Sequence, residues 1–113
     1  MNRDALRRSL PLAMLLVAGL AHAAAPAPTA TVGLKGFMFG PSTLTVVAGT
    51  RVTWKNDDPE PHTVASVDGK FRSGALDQGD AFSFTFKAPG TYRYVCTIHP
   101  QMVGTIVVTA AKP

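Results

Sequence analysis

The sequence predicts an all-β domain, a sandwich or barrel of short strands, and three observations carry that prediction. Runs of alternating apolar and polar residues recur from Thr31 onward, turn residues separate them at regular spacing, and no segment has helical periodicity. The first strand is expected at 31–34. The second covers 43–47, where Leu44 and Val46 share a face, with Gly40-Pro41 before it and Ala48-Gly49 after it. Proline and glycine at such points end strand pairing or supply a positive φ. The third, 51–56, turns Val52 and Trp54 inward and stops at Asp57-Asp58-Pro59. The fourth, 62–66, follows Pro59-Glu60-Pro61 and ends before Asp68-Gly69. Residues 70–76, with Phe71, Ser73 and Gly74, are expected as a loop or short irregular strand crossing one edge. Gln78-Gly79 introduces the fifth strand at 81–86, whose Phe82, Phe84 and Phe86 lie on one face, and Pro89-Gly90 introduces the sixth at 91–96 with Tyr92 and Tyr94. The seventh spans 105–109 with Ile106 and Val108. Thr, Ser, Lys and Arg take the opposite faces, so two packed sheets are needed to cover the apolar ones.

The N-terminus stands outside this pattern. Arg3, Arg7 and Arg8 form a basic region, residues 10–20 are an apolar run too short to span a bilayer, and Ala21-His22-Ala23 is a small-x-small cleavage pattern. Residues 1–23 are therefore expected to be a cleaved signal peptide. Arg7-Arg8 alone does not make a twin-arginine signal, so the ordinary secretory route is expected. Residues 24–30 read as a flexible Ala/Pro-rich lead-in and 31–113 as the domain. The 90 residues of 24–113 suffice for one small domain. They hold eight basic and six acidic residues, a balance too small and scattered for nucleic acid. A lone cysteine cannot form an internal disulfide, so any staple in an exported domain of this size is a metal.

Cys96-Thr97-Ile98-His99-Pro100-Gln101-Met102 places a thiol, an imidazole and a thioether at two-residue gaps directly after a predicted strand. Three such groups cannot share one face of a strand, so the chain must turn and wrap them around an occupant. A trigonal set of two histidines and a cysteine with a long axial methionine is a type 1 copper site. Without residues 1–23 the chain holds only His62 and His99, Cys96, and Met38 and Met102, so nearly all its soft ligands belong to this set. His62 is the second imidazole. It lies 34 residues before Cys96 and opens a strand after a rigid Pro-Glu-Pro segment, where a strand start and a neighbouring loop can meet at one end of a sandwich.

Each residue also has a plainer reading: His62 as a surface loop residue, Cys96 as core filler beside Tyr92 and Tyr94, His99 as an exposed polar group, and Met102 as core with Met38 as rival axial ligand. An unpaired thiol in an oxidising compartment argues that Cys96 is occupied. Met102 shares the short ligand loop, while Met38 between Phe37 and Phe39 is expected on the rim. Zinc also takes Cys and His, but structural zinc sites add further Cys or His that this chain lacks, so one copper ion is the expected metal. A Cys/His nucleophile is disfavoured because both would point at one centre with no open polar pocket implied; the chain is not expected to be an enzyme.

Phe37-Met38-Phe39-Gly40-Pro41, Val52-Thr53-Trp54-Lys55-Asn56, Pro61-His62-Thr63-Val64 and the stretch from Pro89-Gly90-Thr91 through Cys96 to Met102 occur in this order. Together they resemble the plastocyanin/azurin family of cupredoxins over about 32–108, and the two-residue gaps flanking His99, followed by Pro100, are similar to its amicyanin branch. The resemblance implies a Greek-key β-sandwich of seven to eight strands with one type 1 copper ion on His62, Cys96, His99 and Met102. It implies a monomeric periplasmic carrier, inserted in no membrane, that shuttles single electrons between redox proteins such as a c-type cytochrome or a periplasmic dehydrogenase. His99 would be the electron portal, within an apolar patch for which Pro100, Pro61 and Met38 are candidates. Position 63 is Thr where many relatives carry Asn, so any side-chain clamp there must differ. Three alternatives remain: a periplasmic copper-binding chaperone of the same fold; an immunoglobulin-like adhesion module, which Trp54 and Tyr94-Val95-Cys96 superficially match but which lacks its second cysteine; and a copper nitrite reductase, disfavoured by the single domain and the absence of spare histidines.

Overall fold

Eight short strands pair into two sheets in a computed structural model that describes residues 25–111 together with Pro11, Ala13 and Gly19. Apart from those three residues, the expected signal peptide lies outside the described residues. The strands are β1 (Thr29–Lys35), β2 (Met38–Gly40), β3 (Thr43–Val47), β4 (Thr50–Asn56), β5 (Ala65–Ser66), β6 (Ala81–Phe86), β7 (Gly90–Val95) and β8 (Val103–Thr109). One sheet has the order β2-β1-β4-β6 and the other β3-β8-β7-β5. The chain thus changes sheet at every step from β2 to β7. β1 runs parallel to β4 and β3 parallel to β8, and the other pairs are antiparallel. This is the all-β sandwich that the alternation predicts, and no helix occurs among the described residues.

Val32 and Leu34 of β1, Val52 and Trp54 of β4, Phe86 of β6, Tyr94 of β7, and Ile106 and Val108 of β8 are buried between the sheets. Trp54 is the hub. It stacks on Phe71 at 5.6 Å between ring centroids and meets Tyr94 edge-on at 5.4 Å. Truncating such a ring to alanine costs about 3–5 kcal/mol, through lost transfer free energy and the cavity left behind. Opposite Tyr94 on β8 stands Gly104, and a Cβ there would run into the Tyr94 ring. The glycine therefore makes room for the tyrosine.

Several elements depart from expectation, each for a local reason. β1 begins at Thr29, because Thr29 and Ala30 pair with Arg51 and Val52 and the Pro28 carbonyl accepts the Arg51 N–H. β2 lies outside the strands that the alternation predicts. It folds back on β1 through a two-residue hairpin turn, Gly36-Phe37, in which both residues have positive φ (63° and 56°). Such a turn normally carries glycine at its second position, and phenylalanine there hides the hairpin from the sequence. The expected strand 62–66 shrinks to Ala65–Ser66, since His62 makes a single bridge to Leu76 and the Val64 N–H turns to the Ser73 hydroxyl. Residues 70–76 do cross the edge irregularly, bridging Arg72 to Ala65 and burying Phe71 against Trp54. Leu44, Phe82, Phe84 and Tyr92 are half-buried flanks and not core.

Candidate metal centre

β7 ends at Val95, and Cys96 opens the loop that returns the chain to β8. The loop is closed by its own backbone: the Cys96 N–H donates to the Met102 carbonyl at 3.1 Å and the Met102 N–H to the His99 carbonyl at 2.9 Å. His62 reaches the same end of the sandwich from the segment after β4, held by reciprocal backbone hydrogen bonds with Leu76 at 3.1 and 2.7 Å.

The three donor atoms converge. His62 Nδ1 lies 3.1 Å from His99 Nδ1, and Cys96 Sγ lies 3.9 Å from His62 Nδ1 and 3.7 Å from His99 Nδ1. Among the described residues this is the one cluster of at least three His, Cys, Asp or Glu side chains with metal-binding spacing. Imidazole and thiolate bonds of about 2.0–2.3 Å to a first-row ion place ligand atoms roughly 3–4 Å apart around it, so the spacing fits a single ion. Met102 is 2% exposed beneath the loop, whereas Met38, its rival for the axial position, is 65% exposed on the rim.

The electrostatics fit the same occupant. Burial pushes the Cys96 thiol up, but hydrogen bonds from the N–H groups of Thr63, His99 and Ile98 and from the His99 ring outweigh it, bringing the pKa down from 9.0 to about 6. The Thr63 N–H points at Sγ from 3.4 Å. The sulfur is thus prepared as a thiolate, the form that ligates metals. His62 Nε2 lies 2.8 Å from Asp58 Oδ2, which places its ring proton on Nε2 and leaves Nδ1 as a lone pair aimed into the cluster. Asp58 itself is held below the usual carboxylate range, first by the Phe37 N–H and then, against its burial, by His62 and the Gly36 N–H.

Thr63 supplies a clamp of its own kind. Its hydroxyl oxygen accepts the Thr97 N–H at 2.7 Å and pairs with the Thr97 hydroxyl at 2.8 Å, locking the segment after His62 onto the segment after Cys96. Sequence reasoning missed Asp58 and Phe37. Asp58 was read as a turn residue beside Pro59, although its spacing of four from His62 was available as a signal. Phe37 sets its ring edge-on to His62 at 5.3 Å and to His99 at 4.9 Å between centroids. His99 is half-buried; Phe37, whose ring it meets, its chain neighbours Ile98 and Pro100, and Met38 and Pro61 are exposed.

Comparison with known proteins gives concordant matches. The family described as Cupredoxin-like domain matches residues 8–108. Amicyanin-alpha of Methylorubrum extorquens is 36% identical over 89 residues, covering 74% of this chain and 75% of the relative. Amicyanin of Paracoccus versutus is 34% identical over 94 residues, covering 79% and 71%. Among solved structures, a purple cupredoxin from Nitrosopumilus maritimus superposes with a TM-score of 0.65 at 35% identity, covering 71% of this chain and 99% of that one.

Proposed function

The chain belongs to the cupredoxin-like family of electron-transfer proteins, and from that membership we propose that it is a periplasmic carrier of single electrons with one type 1 copper ion on His62, Cys96, His99 and Met102. The observation that carries this reading is the convergence of two imidazole nitrogens and a thiolate-prone sulfur within 4.8 Å of one another. Copper bound there supplies a one-electron Cu(I)/Cu(II) couple.

The chain's own residues do the rest. Asp58 fixes the His62 tautomer, Thr63 donates to the sulfur and ties the two ligand segments together, and Phe37 wedges both rings. Ligands braced in this way would hold a bound copper ion in one arrangement in both oxidation states. Met102, which ends the loop and is buried, would complete the ligand set. The half-buried His99 ring touches exposed Phe37 and lies between exposed Ile98 and Pro100 in the chain, apolar neighbours that suit brief docking of a redox partner such as a c-type cytochrome or a periplasmic dehydrogenase. A carrier needs no substrate pocket, and we read the protein as a monomeric carrier and not an enzyme. The basic and apolar segments of 1–23 support export.

Addition of Cu(II) to residues 24–113 tests the reading. An intense blue thiolate-to-copper band is expected, lost in Cys96→Ser. A colourless wild type with an ordinary tetragonal EPR signal would overturn it. Rapid electron self-exchange separates a carrier from a copper chaperone of the same fold.

A further inference from the structure

We infer that Asp58 is a positioning residue that holds the copper site's reduction potential down, and that its carboxylate ties the exposed Gly36-Phe37 turn to the buried ligand His62. The inference rests on the copper reading above. Asp58 is buried, and its two oxygens take three donors: Oδ1 accepts the Gly36 N–H at 2.7 Å, while Oδ2 accepts the Phe37 N–H at 3.0 Å and the His62 Nε2–H at 2.8 Å. None of these donors is a lysine or arginine. The ion pair nearby, Lys55 with Asp57 at 4.0 Å, belongs to a neighbouring side chain. Among the described residues, the imidazole that faces the metal position is therefore the only side chain that the Asp58 carboxylate engages.

The backbone that carries the carboxylate is fixed from β4. The Asp58 N–H donates to Asn56 Oδ1 at 2.9 Å, and Asn56 Nδ2 donates to the carbonyls of Glu60 at 2.8 Å and Leu76 at 2.9 Å. Asn56 thus holds the backbone from which the Asp58 side chain projects, and the Asp58 carboxylate orients the His62 ring. A carboxylate accepting from the distal nitrogen of a ligand imidazole makes that imidazole a stronger electron donor, and loss of such a partner commonly costs 10–100-fold in metal affinity. The higher charge of Cu(II) gains more from this than Cu(I) does, so the potential falls. The same carboxylate holds the left-handed Phe37, at φ 56°, in a conformation that L-residues rarely adopt, and so keeps its ring against both histidines.

An asparagine cannot substitute. Asn at this position has one acceptor oxygen for three N–H donors, and its NH₂ would face another N–H. A glutamate keeps the charge. The test compares reduction potentials of wild type, Asp58→Asn, Asp58→Glu and Glu60→Gln, the last removing an equal charge from the same segment at an exposed side chain. Asp58→Asn should lower the preference for Cu(II) over Cu(I) at least tenfold, a rise of about 59 mV in a one-electron couple. Asp58→Glu should recover part of that loss, and Glu60→Gln should shift the potential by far less. An unchanged or lower potential in Asp58→Asn, or an equal shift in Glu60→Gln, overturns the inference. Should Asp58→Asn fail to fold, ¹⁵N NMR of the metal-free wild type decides: the neutral His62 ring must carry its proton on Nε2, and a proton on Nδ1 overturns the inference. Because that measurement needs no copper, it separates failure of this inference from failure of the copper reading.

Discussion

The two histidines that face each other across 3.1 Å are held in opposite ways. His62 is fully buried, bonded through its backbone to Leu76 and through Nε2 to the carboxylate of Asp58, whose backbone N–H is anchored to Asn56. His99 sits half-exposed on a loop only five residues long between Cys96 and Met102, and the hydrogen bonds found for its ring all fall on Nδ1. One arm builds the geometry and the other displays it. A site made of two arms like His62 would be rigid but inaccessible to a partner; two arms like His99 would be accessible but poorly fixed.

The largest expected effect comes from cutting either arm. His62→Gly and His99→Gly should each abolish the blue band. Added imidazole should restore it in His99→Gly, where the vacated space opens to solvent, and not in His62→Gly, where it is sealed. Visible titration with imidazole checks this, and equal rescue in both variants would erase the distinction between the arms.

A smaller effect is expected where the arms are joined. Thr63→Val leaves the Thr97 N–H without the hydroxyl that accepts it, which costs the metal-free protein about 1–3 kcal/mol. Thr97→Val keeps that bond and should cost about 1 kcal/mol or less. Urea unfolding of both variants ranks them, and the reverse order would show that the hydroxyl pair matters more than the clamp on the backbone.

The smallest effect at neutral pH lies beneath both arms. Among the described residues the Tyr94 hydroxyl has no hydrogen-bond partner, and burial pushes its pKa up from 10.0 to about 12, with Trp54 opposing. The folded state therefore holds the phenolic proton more tightly than the unfolded state. Stability linked to Tyr94 is complete below about pH 10 and is lost as pH rises toward 12, by about 2 kcal/mol at that limit. Tyr94→Phe should be nearly neutral at pH 7 and should flatten the alkaline fall in stability. Urea midpoints from pH 8 to 12 test the sign, and an unchanged alkaline fall would remove Tyr94 from the account.

What could be read in the sequence follows the same division. His62, Cys96 and His99 were legible because soft ligands are so few in this chain that their grouping carries weight, and Trp54, Tyr94 and Ile106 were legible from strict alternation. Thr63 was flagged as unusual, yet its clamp on Thr97 depends on a contact across 34 positions that no local pattern encodes. Asp58 looked like turn chemistry beside proline, since a carboxylate bonds to backbone N–H groups in turns as readily as to a distant imidazole. Phe71 was illegible as core because it lies in an aperiodic segment, and its burial is decided by the neighbouring Trp54.

The pairing of β3 with β8 reaches beyond the copper end. β8, the last of the strands among the described residues, sits inside its sheet between β3 and β7, and its pairing with β3 is parallel, joining Leu44 to Ile106. A growing chain that lacks β8 cannot join β3 to β7, and closing so long a loop delays the non-local contacts that reward it. Assembly of this sheet thus waits for β8, so β3 and β7 become parts of one sheet only late in folding.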